Sequence, residues 1–506
     1  MPTPIVCGIE TEYGIIVRSP EGRVASLSPM TASSILVSAY EDSGLEVQRT
    51  ERAVVRWDFD DETPANDARD GVSVATYAPE VETHLVNTVL SNGSRFYVDH
   101  AHPELSTPEC RTPEEVVRYD RAGEVILRRA MDSAKGSMPP GHEIVVYKNN
   151  SDGKGQSYGC HENYLLARST PFGDVARHAM AHLVSRQVFC GAGKVGHESD
   201  GHPAVGDEFQ ISQRADFFEE PIGLETTLKR PIVNTRDEPH ADSARFRRFH
   251  VIVGDANMSE VATLLKVGST MLWLGLLEAP GRPEPIVFRD PVRAIRTISH
   301  DPTLQTIVEL DDGSQVRALD LQWRLHGECA AAAAAGFYDD GVAEYAGDVL
   351  ARWEAVLNAL ERNPLEAADV VDWVAKYRLL DAYRERHGLS WNDPRLRAMD
   401  LQYHDIRPDR SLAARLGLER VVTEASVEAA VITPPESTRA YFRGRCISKY
   451  GEDVVTVNWD SIVLDAGEPH LRRIPMLDPL RGTREHVGAL LDASGTPAEL
   501  LRRLAR

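Results

Sequence analysis

The stretch PIVCGIETEYGIIV, residues 4–17, alternates with a period of two and puts opposite chemistries on its two sides. Ile5, Cys7, Ile9, Tyr13 and Ile15 fall on one side, and Gly8, Glu10, Glu12 and Gly14 fall on the other. A strand of this kind must cover its apolar side and find an occupation for its carboxylates. RFYVDHAHPE, residues 95–104, repeats the pattern. Arg95, Tyr97 and Asp99 are co-facial, Phe96 and Val98 lie behind them, and Pro103 is expected to break the strand and re-aim Glu104. Carboxylates buried on a sheet without a partner cost several kcal/mol each, so something cationic must compensate them.

Two compensations fit these residues. Arginines are one; those at 214, 230, 236, 439 and 443 are candidates for clamping phosphates or a carboxylate. The other is Mg²⁺, a hard cation that takes a few carboxylates and leaves positions for water and phosphate oxygens. His161 and Asn163, in the string HEN, supply an imidazole and an amide that suit such a site. Other chemistries find no support. CGAGKVG and SDGKGQS lack the glycine that a phosphate loop places five residues before its Gly-Lys. HExxH, GxSxG and a dinucleotide fingerprint are all missing.

The chain has 506 residues and a formal net charge of −21, which argues against general nucleic-acid binding. None of its six cysteines forms a CxxC pair, so reduced thiols in a cytoplasmic protein are expected. No signal peptide and no membrane span are expected, because the most apolar window carries Lys266 and Glu278. From about Ser28 to Glu82 the pattern degrades, and a mobile insertion is expected over about 38–82. A capped amphipathic helix is predicted to start at Thr112. EIVVYKNN and YGCHENYLLA read as strands paired with each other, and RFRRFHVIVGDAN reads as a core strand. Residues 316–380 read as helical, DVVTVNWDSIVLD as one strand and TPAELLRRLAR as a terminal helix. TPPEST near 433 marks an expected boundary between residues 1–432 and a small C-terminal domain, 433–506.

GIETEYGI, NGSRFYVDHAHPE, YKNNSDGKGQSYGCHENYL, VNTRDEPHAD, HVIVGDANMSE and TRAYFRG together resemble the Pup ligase–depupylase family. These are carboxylate–amine ligases related to glutamine synthetase. The resemblance implies an α+β, glutamine synthetase-like fold: a curved antiparallel sheet cradle backed by helices, with ATP and Mg²⁺ as cofactors. Carried over position by position, Asp99 matches the catalytic aspartate. Glu10, Tyr97 and Glu104 match metal-associated positions, with His161 joining them. Arg95, Thr107 and Trp459 match nucleotide-contacting positions, to which Arg236 is added, while Arg214, Arg439 and Arg443 are expected to clamp substrate or phosphate. VDHAHPE is similar to the hydrolytic branch of the family, for which the acidic insertion is characteristic. That branch implies hydrolysis of the isopeptide bond between Pup and lysines of pupylated proteins, and deamidation of a C-terminal glutamine of Pup. Ligation with ATP hydrolysis is the alternative. Attack by Asp99, activation of water by Asp99 and attack by a retained phosphate all remain open. A monomer with Pup and pupylated proteins as partners, without nucleic acid or membrane, completes the expectation.

Overall fold

The computed structural model describes residues 6–43, 55–59, 66–69, 86–199, 202–279 and 281–505. Ten strands form the main sheet. Their spatial order is β13 (Phe246–Val251), β8 (Cys160–Ala167), β1 (Cys7–Glu12), β6 (His102–Ser106), β5 (Arg95–Asp99) and β4 (Asn87–Val89), continuing to β3 (Arg56–Trp57), β16 (Val454–Val457), β17 (Ser461–Leu464) and β18 (Arg472–Pro475). Neighbours run antiparallel, as expected of the cradle, except β3 and β16, which are parallel. Four two-stranded sheets accompany it: β2 (Gly14–Arg18) with β7 (Glu143–Tyr147), β9 (Lys194–Ser199) with β10 (His202–Gln210), β11 (Phe218–Gly223) with β12 (Arg230–Asn234), and β14 (Ile307–Glu309) with β15 (Gln315–Arg317). With the helices, this is an α+β architecture.

The apolar side of the main sheet is covered by helices with well-defined starts. In α1 (Pro29–Asp42), Ser28 caps the first turn by accepting from the Thr31 amide, and Pro29 has the φ a first turn needs. Its buried Ala32, Leu36, Val37 and Tyr40 face the strands, with the Tyr40 ring edge-on to Phe96 at 6.1 Å. In α2 (Pro113–Ala134), Thr112 accepts from the Glu115 amide, and Glu114 and Glu115 sit where the helix dipole favours anions. Behind them run α3 (Phe172–Ser185), the single turn α4 (Gln187–Cys190) and α5 (Glu260–Leu276), whose residues are all buried.

The strand expected over 4–17 divides. At Glu12 and Tyr13 the backbone amides turn to the carbonyls of Gly159 and Pro103, and β2 leaves to pair with β7. EIVVYKNN and YGCHENYLLA therefore do not pair with each other, and β8 lies between β1 and β13. Pro103 does not break a strand: the chain turns at His100 and Ala101, and Pro103 is the second residue of β6. Residues 454–464 form a hairpin, because the Asn458 side chain accepts from the amides of Asp460 and Ser461 and turns the chain.

The expected insertion is also more ordered in part. Residues 38–42 belong to α1, and Val55 and Trp57 are buried. Asp67 bridges to Arg236, while Ala68 donates to the Thr235 carbonyl at 2.8 Å. The expectation of mobility over 44–54, 60–65 and 70–82 falls outside the described residues.

Val55, Trp57 and Val89 share a hydrophobic cluster with Phe442, Ile447, Val457 and Ile462, so the C-terminal segment closes over the inserted one. Its helix Ala440–Tyr450 is fastened to the main body through Glu109. Arg439 Nε meets Glu109 Oε1 at 2.7 Å, and Arg443 meets both carboxylate oxygens while donating to the Gly93 carbonyl at 3.1 Å. Burial acts to raise the Glu109 pKa, but the two guanidiniums outweigh it and hold it at about 2. Stability from this tie is present above the ordinary glutamate pKa of about 4.3 and is lost as pH falls toward the folded value. Glu109→Gln leaves two buried guanidiniums without a counter-charge, and is expected to cost about 3–5 kcal/mol. Urea unfolding at pH 7 checks this, and the gap between variant and wild type should close as pH falls through that window.

Candidate active site

Antiparallel register decides which side chains share the polar face of the sheet. Glu10 stands opposite Ser106 on β6 and His161 on β8, and Glu12 stands opposite Glu104. Glu104 in turn faces Tyr97, and Asp99 faces His102, across the β5–β6 pair. On the other flank His250 of β13 faces Asn163 of β8. One continuous face thus runs from Arg248 and His250 through Asn163, His161, Glu10, Glu12 and Glu104 to Tyr97, Asp99 and Arg95.

Two groupings stand out. Glu10, His161 and His250 bring ligand atoms within 4.8 Å of one another, as do Glu12, Asp99 and Glu104. His161 joins the two, with Nδ1 3.5 Å from Glu10 and Nε2 3.9 Å from Glu12. Asn163 donates to Glu10 at 2.8 Å, and its carbonyl oxygen accepts from Arg248 at 3.0 Å and from His250 Nδ1 at 2.9 Å. With Nδ1 donating, His250 presents Nε2 as a lone pair, and that buried atom has no hydrogen-bond partner among the described residues.

Electrostatics separate the carboxylates. Burial acts to raise Glu10, but the hydrogen bond from His161 and the positive charge of Arg248 prevail and hold it far below the usual range. Glu104 goes the other way: burial, then the charges of Asp99, Glu12 and Glu10, push it well up. Burial also works to raise Asp99, and His100, His161 and Arg95 together overcome it and keep it ionised. His100 adopts a φ of 51° in the tight β5–β6 turn, and its Nδ1 lies 3.0 Å from Asp99 Oδ2. Asp99 keeps 29 % of its side chain exposed, against 11 % for Glu12.

Arg95 donates to Asn87 at 3.0 Å and is sandwiched between the rings of Trp57 and Tyr97, each 4.0 Å from its guanidinium carbon. Trp459 meets Trp57 edge-on at 5.3 Å. Thr107 accepts from the Ile9 amide at 3.0 Å and lines, with Gly8, Glu10, His240 and Trp459, a pocket at the end of the polar face. Arg236 approaches from beyond β12, with its Nε buried and unpartnered among the described residues. Arg214 is buried, donating to the Ile252 carbonyl and, at 3.3 Å, to Ser157. Burial and then Arg230 pull its pKa down to about 10. Arg439 and Arg443, expected as clamps, spend donors on Glu109 and on main-chain carbonyls, while Arg443 Nε has no partner among the described residues and Arg439 lines the pocket with Thr107 and Trp459.

Sequence reasoning placed Glu12 beside Glu10 without giving it a role, and it passed over other groups. His102, Arg248 and His250 alternate onto the face as plainly as Glu10 does, and strand periodicity alone could have selected them. Trp57 offers no local signal, since it reaches Arg95 through strand pairings distant in sequence.

A family model, Pup-ligase protein, matches residues 5–463. The chain belongs to the Pup-ligase family. Among curated members it is 48 % identical to the Depupylase of Acidothermus cellulolyticus and 45 % identical to the Pup deamidase/depupylase of Mycolicibacterium smegmatis, each over 99 % of both chains. Among solved structures of the family, the complex between prokaryotic ubiquitin-like protein Pup and its ligase PafA superposes with a TM-score of 0.79 at 32 % identity, covering 99 % of this chain and 94 % of that one. The Pup ligase PafA in complex with ADP gives 0.72 at 37 % identity, covering 80 % and 89 %. The α+β fold is thus that of the Pup ligase structures. No helix among the described residues is long and apolar enough to cross a membrane.

The donor set suits a divalent cation. Three carboxylates converge, Glu104 is driven toward its neutral form for want of positive charge, and a buried imidazole nitrogen stands open. The geometry also depends on Gly159. A Cβ there would collide with His161 Nε2 and come 2.9 Å from Glu12 Oε1. Gly159→Ala should displace His161, cost about 1–3 kcal/mol of stability, and lower activity far more than that loss of folded protein explains. Thermal unfolding and turnover measured on one preparation check both halves.

Proposed function

We propose that this chain is an amidohydrolase that cleaves the isopeptide bond between the C-terminal side-chain carboxyl of Pup and a lysine of a pupylated protein. On the same reading it converts a C-terminal glutamine of Pup to glutamate, with ATP and Mg²⁺ as cofactors. Near-complete alignment with proteins named for depupylation and deamidation supports this reading. The single observation that carries the mechanism is Asp99: an ionised carboxylate at the open edge of the polar face, beside deeper acids.

Amide hydrolysis in water is downhill, so no ATP need be consumed. When bound, the magnesium–nucleotide pair supplies positive charge that polarises the scissile carbonyl and stabilises the oxyanion. Glu10, Glu12, Glu104 and His161 would hold the metal. Arg95, fixed between Trp57 and Tyr97, and Arg236, whose Nε has no partner among the described residues, would meet the phosphates. Arg214, buried without an ion pair among the described residues, is placed for a carboxylate or phosphate oxygen. Asp99 is too weak a base to activate water well, and its exposed oxygen is oriented by His100. Direct attack on the carbonyl carbon therefore fits it better. The lysine amine leaves with a proton taken from solvent at the open edge of the cleft, and water then opens the Asp99 anhydride, releasing the carboxylates of Pup and Asp99 and returning protons to solvent.

Single turnover in H₂¹⁸O with a rapid-quench search for the Pup–Asp99 adduct tests this: label in the Asp99 carboxylate or a trapped adduct is expected, and label confined to Pup with no adduct at any quench time would reject Asp99 as nucleophile. Asp99→Asn should lower depupylation by roughly 10⁴-fold or more with nucleotide binding retained. Conjugation of Pup to a lysine-bearing target with stoichiometric ADP release would instead support the ligase alternative. Trp57→Ala removes one ring from Arg95, worth about 0.5–2 kcal/mol. Nucleotide affinity, followed by fluorescence titration, should weaken between about two- and thirtyfold.

A further inference from the structure

On a different part of the molecule, three side chains from three separate elements converge outside the polar face. His197 lies on β9, Asp216 in the turn Ala215–Phe217, and His300 at the end of helix Pro291–Ser299. His197 Nδ1 is 3.1 Å from His300 Nε2, and the same His300 nitrogen is 2.6 Å from Asp216 Oδ1. All three ligand atoms lie within 4.8 Å of one another.

Hydrogen bonding accounts poorly for this arrangement. His300 Nε2 carries either one proton or one lone pair in the ring plane, so it cannot serve a carboxylate oxygen and a second imidazole nitrogen equally. Three lone pairs directed at one cation remove the conflict. Four-coordinate zinc, with bonds of about 2.0–2.1 Å, spaces its ligands by about 3.3 Å; the 3.1 Å separation here matches that, and the 2.6 Å one would open by roughly half an ångström to admit the ion.

The surroundings are those of ligands already oriented. His197 turns its other nitrogen, Nε2, to Glu208 at 3.1 Å, the carboxylate–histidine arrangement that fixes a ligand's tautomer. Asp216 keeps Oδ1 for the cluster, because its Oδ2 is taken by the Gln210 side chain at 2.8 Å and the Glu198 amide at 3.2 Å. Asp216 is buried, while His197 and His300 are 24 % and 33 % exposed, so a cation can enter and keep a water ligand.

We propose that His197 Nδ1, His300 Nε2 and Asp216 Oδ1 form a second metal site, for a borderline transition-metal dication such as Zn²⁺. Two imidazoles and one carboxylate favour such an ion over Mg²⁺, which selects oxygen donors. The site is separate from the carboxylate cluster and stands independently of the proposed hydrolysis. Its role is to staple β9 and helix Pro291–Ser299 to the turn after Arg214, so that a bound ion would hold that arginine's backbone in place.

The test uses the full chain, stripped with a chelator and titrated with Co²⁺ in excess Mg²⁺, which occupies the oxygen-donor cluster. We expect one equivalent of Co²⁺ with the strong visible absorption of a four-coordinate ion, displaced by Zn²⁺, together with a rise in Tm. The band should persist in Glu10→Gln and vanish in the double variant His197→Ala/His300→Ala. Glu208→Gln, at an exposed position that leaves the packing intact, should weaken Co²⁺ binding by about 10–100-fold. A wild-type chain without the band, a band lost in Glu10→Gln, or a Glu208→Gln variant with unchanged affinity would each overturn the proposal.

Discussion

Between His161 and Asn163, which face the polar cleft, lies Glu162, and its side chain points the opposite way into the core. There it forms a two-pronged pair with Arg186, at 2.5 and 2.7 Å, and accepts from the Tyr164 hydroxyl at 2.5 Å. Thr270 of α5 accepts from the same guanidinium at 2.8 Å. Taking two charges out of water is expensive, and the energetic gain of such a pair over apolar packing is small or negative. Its effect is on register. Shifting β8 by one residue would send Glu162 into the cleft and His161 into the core, leaving Arg186 buried without its counter-charge. The order of side chains along the cleft, from His250 through His161 to Glu10, follows from that pair.

Given this register, the cleft has a charge gradient of its own. Asp99 and Glu10 are held ionised by histidines and arginines, whereas Glu104, placed among them, is the acid that cannot keep its charge unaided. A divalent cation entering here would meet carboxylates already negative and one that gives up its proton on binding. On the proposed function the same arrangement would assign different work to chemically similar groups: the deep acids would hold the ion, and the one with solvent access would react. A net charge of −21 spread over the whole chain says nothing of this; the relevant charge is the few groups that strand pairing brings to one face.

Much of the cleft could be read from residue alternation. Glu10 and Glu12, and Tyr97 and Asp99, are two apart, and a strand can only place such pairs on one side. Boundaries were less legible. Tyr13 continues the alternation of β1 perfectly, yet the chain changes sheets there because Gly159 and Pro103 offer carbonyls that lie far away in sequence. Helix α1 was hidden by its serines and threonine, although Ser28-Pro29 is a sound start signal and Leu36, Val37 and Tyr40 form a helical face. Arg439 and Arg443 look like anion clamps in sequence; only the position of Glu109 reveals that their anion is internal. Trp57, lodged in a charged stretch, gains its meaning wholly from Arg95.

The single parallel seam of the sheet, β3 against β16, carries a further implication. Thr456 and Asp58, hydrogen-bonded there, are 398 residues apart in the chain. During synthesis, the wall of the cleft formed by Trp57 has only β4 to rest on until β16 has left the ribosome. A nascent chain can therefore assemble its acidic strands early but cannot enclose Arg95 until β16 emerges. Chains cut short before β16 would carry Asp99 and its neighbouring acids without the aromatic enclosure around Arg95.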